Sequence, residues 1–173
     1  MTILLKNLIE SKVKTLSELK EIKRARGGQV MVFVSGCFDI VHADHIEYLA
    51  WGKSLGNYLV VAINNDTSVK KLKGADRPIN YLKNRVEVIA ANYFTDYIIV
   101  FNELNTVKII KALKPDIFAR GKNLVLGKKE ETKTKKEINQ NERQAVESYG
   151  GKIRFLEKTP RYSSTWLAEL IRK

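Results

Sequence analysis

The only two histidines of the chain, His42 and His45, are the residues whose type and spacing point most clearly to chemistry. They stand three positions apart, nearly one helical turn, so both imidazole rings can project from the same side of a helix. An apolar run that ends at Ser35 and Gly36 precedes them, which places the pair in the first turn of the following helix. Free backbone N–H groups and the positive end of the helix dipole lie there, a setting that suits phosphate.

Transfer of a nucleotidyl group is a reaction that such a pair would serve. Its five-coordinate transition state carries extra negative charge on the α-phosphate, and two imidazole donors aimed at those oxygens would stabilise that charge. An acceptor that is a phosphate monoester already carries charged oxygens near neutral pH, so no protein nucleophile is required. The pair therefore predicts a phosphate-handling enzyme.

Other interpretations of the histidines stay open at this point. Both could be structural, as isolated histidines usually are. A zinc site could combine them with Cys37 or Asp39, but zinc needs three or four converging ligands, and the rest of the sequence offers no partner motif. A P-loop is excluded because no G-x-x-x-x-G-K-[ST] is present.

The elements that must position the pair alternate along the chain between short apolar runs and amphipathic segments. Runs rich in β-branched and aromatic residues predict strands over 30–35, 58–63, 97–101, 117–119 and 153–156. Helical spacing of apolar residues predicts helices over 15–23, 42–53, 81–93, 106–113, 137–149 and 164–171. This alternation predicts a doubly wound, Rossmann-like α/β fold with a five-stranded parallel sheet. Ligands of such folds bind beyond the carboxyl ends of the strands, where the strand order reverses.

Composition narrows the class of protein. The 173 residues suffice for one domain with a real core, and 44% of them are hydrophobic, as in ordinary globular proteins. No apolar run approaches the roughly 20 residues of a membrane-spanning helix, no signal peptide is indicated, and the single cysteine excludes an internal disulfide. We expect a cytoplasmic protein with one domain over 1–173, a helical lead-in over 1–27 and a mobile basic loop over 123–136.

The formal net charge of +12 would suit nucleic acid, an anionic membrane or small anionic ligands. The densest lysine cluster, at 128–136, also contains Glu130 and Glu131, and it lacks the interleaved aromatic residues of single-strand binders. We therefore expect neither nucleic acid nor membrane as a partner. Nucleic-acid binding is kept as a weaker alternative, which predicts strongly salt-dependent binding to any strand or duplex.

An ordered series of motifs resembles the cytidylyltransferase-like nucleotidyltransferases, whose signature is H-x-G-H. The resemblance covers Lys14 to Ile171, and it includes the segments TLSEL, VFVSGCFDIVHADH, LGNYLVVAINND, KKLKGADRPIN, the helix with Arg85, KPD and YSST. Within the family, the sequence is most similar to the adenylyltransferase domain that makes ADP-heptose. Glycerol-3-phosphate cytidylyltransferase is a more distant relative.

The resemblance implies an activity. A nucleoside monophosphate would pass from a nucleoside triphosphate to a sugar 1-phosphate, with release of pyrophosphate. ATP and heptose 1-phosphate are the first expectation, and CTP with glycerol 3-phosphate or another polyol phosphate is the alternative. Mg²⁺ would accompany the triphosphate, and a homodimer is expected from the resemblance.

The resemblance also assigns roles to residues. The catalytic residues would be His42, His45, Lys71 and Lys73. The nucleotide would contact Ser35, Gly36, Cys37, Phe38, Arg120, Gly121, Ser163, Ser164 and Thr165. The acceptor would contact Asp39, Lys70 and Arg85, with Asp39 alternatively orienting the site, and no protein ligand to a metal is expected. Three simpler roles remain open: solvated lysines on the loop predicted after Asp66, a surface ion pair for the arginine, and an ordinary helix cap for the hydroxyls.

Three positions depart from the family pattern. Asp44 replaces the glycine of H-x-G-H, Ser35 replaces an asparagine or threonine, and Lys122-Asn123 stands where an aspartate is expected. Asp44 brings bulk and negative charge close to a triphosphate, although it suits a helix N-terminus. The chain could therefore be an active transferase with altered substrate preference, or a binding or regulatory protein that has lost efficient turnover. Retention of the other motif residues favours activity.

Overall fold

A five-stranded, fully parallel sheet forms the centre of the structure, a computed structural model that describes residues 1–121, 138–157 and 164–171. The strands of these ranges are β1 (Met31–Gly36), β2 (Tyr58–Asn64), β3 (Tyr97–Phe101), β4 (Ile117–Gly121) and β5 (Lys152–Leu156). Their spatial order is β3-β2-β1-β4-β5. The predicted doubly wound α/β fold with a five-stranded parallel sheet is confirmed.

Eight described helices precede, connect and follow these strands. They are α1 (Ile3–Lys12), α2 (Leu16–Ala25), α3 (Ala43–Ser54), α4 (Asp66–Lys73), α5 (Leu82–Ala90), α6 (Val107–Leu113), α7 (Gln140–Glu147) and α8 (Ser164–Ile171). The sequence did not predict α4, which replaces the expected loop. Within the ranges given above, no helix is both long enough and apolar enough to cross a membrane.

Both faces of the sheet are buried. Along β1, Met31 and Phe33 point to a core shared with α2, α6 and α7, while Val32 and Val34 point to a core shared with α3 and α5. Ile9 of α1 packs against the second core. This arrangement explains why the strand sequences are continuously apolar rather than alternating.

The strand order reverses at β1, which pairs with β2 on one side and with β4 on the other. Connections from neighbouring strands then leave the sheet in opposite directions, and a crevice opens beyond the carboxyl ends of β1 and β4. The histidine segment comes directly after β1, so the topology delivers it to that crevice.

Candidate active site

A cleft of about 600 Å³ lies at this switch point, a size typical of small-molecule sites. It is bounded by the ends of β1 and β4 and by the starts of α3 and α8. Among the predicted site residues it brings together are Ser35, Gly36, Cys37, Phe38, Asp39, His42, His45, Lys73, Arg120, Gly121 and Ser164. Residues that are distant in sequence thus converge on one cleft.

The two histidine rings lie against each other at the start of α3. Their centroids are 4.0 Å apart, and His42 is the N-cap residue of the helix. The backbone N–H of His42 donates to Nδ1 of His45 at 3.3 Å. Because Nδ1 of His45 accepts this hydrogen bond, we assign the proton of its neutral ring to Nε2. His45 is thereby held with one N–H donor available on the side of the ring away from the cap.

Both rings are neutral at pH 7. Burial, together with the neighbouring His42, lowers the pKa of His45 to about 4. Burial also lowers the pKa of His42, against the opposing effect of the Asp44 carboxylate. Each imidazole therefore offers a single N–H donor and adds no net charge to the cleft.

This low pKa gives an expected pH dependence of stability. Unfolded His45 binds a proton below pH 6.5, whereas the folded residue stays neutral down to about pH 4. The unfolded state therefore takes up the extra proton in this window, and lowering the pH through it removes about 3 kcal/mol of folding free energy. Urea unfolding at pH 7 and pH 4 should show a smaller acid loss for His45→Asn than for the wild type. Equal acid losses would contradict the lowered pKa.

Phe38 fixes the position of His45 from the other side. Its backbone adopts the left-handed region, with φ at 50°, a conformation that costs about 1 kcal/mol for a residue other than glycine. The ring turns back over Gly36, where an added Cβ would lie 2.9 Å from it, and reaches His45 with ring centroids 5.4 Å apart. Gly36 therefore leaves room for the aromatic ring that packs on His45.

Asp39 holds the loop after β1 against the segment that precedes α5. It is buried, and its Oδ1 accepts from the backbone N–H groups of Ile79 and Asn80, each at 2.8 Å. Its Oδ2 lies 2.8 Å from Nε of Arg77, and its carbonyl accepts from the side-chain amide of Asn80. Of the two roles considered for Asp39, this geometry supports orientation of the site.

Arg85 does not line the cleft among the described residues. It is 1% exposed, and its guanidinium donates from Nε to the carbonyl of Asn80 at 3.0 Å, from Nη1 to the carbonyl of Cys37 at 2.7 Å, and from Nη2 to Asp66 at 2.7 Å. The expected acceptor contact therefore gains no support. The expected alternative, an ion pair, is present with Asp66, but its arginine is buried while the carboxylate is partly exposed.

The three lysines lie on helix α4, not on a loop. Asn65 caps this helix by accepting from the N–H of Ser68 at 2.8 Å. All three lysines are exposed, but only Lys73, in the last turn, is among the described lining residues of the cleft. Successive helical residues differ by about 100° in direction, so lysines that adjoin in sequence need not share a site.

The β4 side of the cleft is held by a contact between two predicted nucleotide-binding residues. Nη1 of Arg120 donates to Oγ of Ser35 at 3.0 Å, and the guanidinium lies over the ring of Phe118, 5.6 Å from its centroid. Oη of Tyr48 donates to the carbonyl of Ala119 at 2.8 Å and ties α3 to β4. The histidine helix and the β4 end are therefore one connected unit.

A metal centre is not supported in the described parts of the chain, where no group of three or more His, Cys, Asp and Glu residues could hold an ion. Cys37, one proposed zinc ligand, is partly buried, and burial raises the pKa of its thiol. Thiolate is the form that binds zinc, so this environment disfavours the zinc interpretation.

Comparison with known proteins adds to this geometry. The profile of the cytidylyltransferase-like family matches residues 33–170, which contain the described lining of the cleft. The chain belongs to the cytidylyltransferase-like family. It is a nucleotidyltransferase, and the cleft with the two histidines lies within the matched residues.

Relatives of this nucleotidyltransferase include two proteins named bifunctional protein HldE. The one from Campylobacter concisus is 45% identical over 112 residues, which are 65% of this chain and 24% of the relative. The one from Syntrophotalea carbinolica is 34% identical over 165 residues, which are 94% of this chain and 31% of the relative. The chain thus spans about a quarter to a third of the length of the curated relatives it matches.

Two solved structures share the fold of the nucleotidyltransferase. A lipopolysaccharide core biosynthesis protein from Thermoplasma volcanium superposes with a TM-score of 0.61 at 27% identity, covering 77% of this chain and 100% of that one. A pantoate–beta-alanine ligase from Francisella tularensis gives a TM-score of 0.56 at 13% identity, covering 94% and 79%. The second likeness shows the fold alone.

The structure adds lining residues of the nucleotidyltransferase that sequence reasoning missed. They include Asn64, Arg77, Thr106, Asn139 and Glu142. Asn64 and Arg77 lie in two segments that carry the family resemblance, LGNYLVVAINND and KKLKGADRPIN, and this was the available signal for them. Glu142, in the first turn of α7, is buried and accepts from both the N–H and the hydroxyl of Thr106, which joins α6 to α7.

Some predicted residues fall beyond the part of the chain that the structure describes. Ser163 and the basic loop 123–136 lie outside the described residues, and Thr165 belongs to α8 without a described side chain. Ser164, at the start of α8, donates from Oγ to the carbonyl of Ile40 at 3.1 Å. This bond fixes the beginning of α8 against the loop that leads to the histidines.

Proposed function

We propose that this nucleotidyltransferase joins a nucleoside monophosphate from a nucleoside triphosphate to a sugar 1-phosphate and releases pyrophosphate. The observation that carries the proposal is the pair of neutral imidazoles, with centroids 4.0 Å apart, at a helix start inside the cleft. Such donors are fixed before the substrate binds, so they stabilise transition-state charge without reorganisation.

The step is an in-line displacement. An oxygen of the acceptor phosphate attacks the α-phosphorus of the triphosphate, forming one P–O bond while the bond to the β-phosphate breaks and the electron pair leaves with pyrophosphate. Nε2–H of His45 donates to the oxygens on which charge develops, and Lys73 offers a cation from α4. Mg²⁺ enters as part of the triphosphate substrate, held by phosphate oxygens and water.

ATP with heptose 1-phosphate is the proposed substrate pair, and CTP with a polyol phosphate is the second candidate. The first is supported by the resemblance that spans Lys14 to Ile171 and by the matches to the HldE proteins. The neighbour from Thermoplasma volcanium, described as a lipopolysaccharide core biosynthesis protein, supports a place in surface carbohydrate synthesis. A homodimer in the cytoplasm is part of the same proposal.

A screen for pyrophosphate release tests this function. Each of the four common nucleoside triphosphates is paired with heptose, hexose and polyol phosphates in the presence of Mg²⁺. We expect release with one preferred pair and only background release without an acceptor. Measurable triphosphate binding together with no release from any pair would instead support a binding or regulatory protein. Binding to DNA or RNA that falls steeply with salt would favour the nucleic-acid alternative.

Asp44 provides a separate prediction about nucleotide preference. It lies in the first turn of α3 and lines the cleft, where its charge opposes that of a triphosphate. We expect Asp44→Asn and Asp44→Gly to bind free triphosphate about three- to tenfold more tightly, as the loss of roughly 1 kcal/mol of repulsion would give. Calorimetric titration at low and high Mg²⁺ measures this effect, which should shrink when Mg²⁺ screens the phosphates.

The two Asp44 variants separate charge from bulk. The asparagine variant removes the charge at nearly constant volume, whereas the glycine variant removes both. A gain with glycine alone would assign the obstruction to bulk. Unchanged or weaker binding in both variants would show that Asp44 contributes to binding rather than opposing it.

A further inference from the structure

Arg77 is a buried arginine of the cleft whose hydrogen-bonding capacity is largely unused. Its side chain is 8% exposed and it lines the cleft. Within the described residues, Nη2 has no hydrogen-bond partner, and Nη1 reaches only the carbonyl of Ser164, at 3.5 Å. A buried donor left without a partner costs about 1–3 kcal/mol, so an unpaired Nη2 indicates a functional role for the arginine.

The charge of Arg77 is paired with a carboxylate, but most of its N–H groups have no hydrogen-bond acceptor among the described residues. Nε lies 2.8 Å from Oδ2 of Asp39, yet this N–H is not aligned for a hydrogen bond, so the contact is an ion pair without directional bonding. The Asp39 carboxylate is held in place, because its Oδ1 accepts hydrogen bonds from two backbone N–H groups. The carboxylate therefore holds a fixed position beside the guanidinium.

Arg85 shows how a structural arginine is bonded in the same protein. It is also buried, but each of its three nitrogens donates to an oxygen at 3.0 Å or less. Arg77, with an equal charge, makes one hydrogen bond at the limit of the distance range. The contrast indicates that the partner of Arg77 is not among the described protein groups.

The chemistry of the missing partner can be inferred from the donor. A guanidinium presents planar, paired N–H groups that match the oxygens of phosphate and carboxylate. Arg77 spans from the loop after β1 to the start of α8, where free backbone N–H groups favour the same kind of ligand. The shared environment of arginine and helix start selects an anion with several oxygens.

We propose that Arg77 binds a phosphate oxygen of a substrate in the cleft and that Asp39 positions it for this contact. The inference rests on the proposed nucleotidyl transfer for the identity of the phosphates, which belong either to the triphosphate or to the acceptor. Arg77, rather than the enclosed Arg85, is then the arginine that contacts a substrate phosphate.

Binding measurements on the full chain test the phosphate contact. Inorganic tripolyphosphate, ATP, and glycerol 3-phosphate or a hexose 1-phosphate are titrated calorimetrically into the wild type, Arg77→Gln and Arg77→Lys. We expect the glutamine variant to lose about tenfold or more in affinity for the phosphate it contacts, and the lysine variant to lose less. Loss for tripolyphosphate and ATP identifies the triphosphate as the ligand, and loss for the sugar or polyol phosphate identifies the acceptor.

Arg24→Gln is the matched control, because Arg24 is exposed on α2 and the change removes the same charge away from the cleft. Affinities within twofold of the wild type for every probe in folded Arg77→Gln would overturn the proposal; should the glutamine variant not fold, the same result in Arg77→Lys would overturn it. Absence of pyrophosphate release in the activity screen would defeat the proposed function but leave this binding result intact.

A double-mutant cycle tests the positioning role of Asp39. Asp39→Asn keeps the shape of the side chain and removes the charge that holds the arginine. We expect it to weaken phosphate binding in the wild-type background and to have little further effect once Arg77→Gln is present. Equal effects in both backgrounds would show that Asp39 acts only on the fold.

Discussion

Replacing His45 with alanine is expected to lower kcat by about 10²- to 10³-fold, the range found when one preorganised transition-state donor is removed. The reason lies in the fixed geometry of the ring. The backbone N–H of His42 occupies Nδ1, and Phe38 packs against the ring, so Nε2–H has one direction in which to donate. Pyrophosphate release under saturating substrates gives kcat, and a loss below tenfold would show that His45 is not such a donor.

Two conservative variants separate the catalytic donor from the helix cap. The asparagine of His45→Asn can still accept from the N–H of His42 but offers no donor at the position of Nε2. The longer glutamine of His45→Gln can place an N–H near that position. We expect the asparagine variant to fold normally with low kcat and the glutamine variant to recover part of the activity. Equal activities for the two would argue against a hydrogen bond from Nε2.

Sequence reasoning located the fold and the centre of the cleft because both depend on local patterns. Continuous apolar strands between amphipathic helices require a parallel sheet covered on both faces, and the histidines come directly after the first strand. The prediction of helix α3 came within one residue of its observed start, since it depended on the residues between 42 and 53 alone. A segment that adjoins the end of a strand in sequence also adjoins it in space, so its place in the cleft needs no knowledge of distant contacts.

The features that the sequence did not predict depend on the orientation of a helix about its axis and on contacts with residues distant in sequence. Lys70, Lys71 and Lys73 have one residue type and neighbouring positions, but only the rotation of α4 decides which of them reaches the cleft, and the sequence predicted a loop in place of α4. Arg77 and Arg85 pose the same problem over a longer span. Their roles depend on the partners supplied by Asp39 and Asp66, which lie many residues away.

Arg85 is the residue whose replacement we expect to affect stability most. Its guanidinium is fully enclosed, and three oxygens from different segments accept from it, those of Asn80, Cys37 and Asp66. Truncation to alanine would leave two carbonyls without their donor and the Asp66 carboxylate without its counter-charge. Because the Asp66 side chain is 38% exposed, solvent screens the ion pair, and its loss costs less than the roughly 3–5 kcal/mol of a fully buried pair. The hydrogen bonds lost with the buried guanidinium add to this cost, so Arg85→Ala should unfold at markedly lower urea concentration than the wild type.

The same position distinguishes a structural arginine from a substrate-binding one. Arg85→Lys retains the charge and can keep one of the three hydrogen bonds, so we expect an intermediate loss of stability and enough folded protein for kinetics. If Arg85 only supports the loop after β1, the KM for the acceptor in the folded lysine variant stays within about twofold of the wild type. A rise of tenfold or more in that KM, with stability little changed, would restore the acceptor contact to Arg85. Arg85 also bonds the carbonyls of Cys37 and Asn80, which lie on either side of Asp39. Loss of these bonds in Arg85→Lys should therefore loosen the segment that contains Arg77. The backbone N–H groups of Ile79 and Asn80, which donate to Asp39, would then exchange with solvent faster than in the wild type.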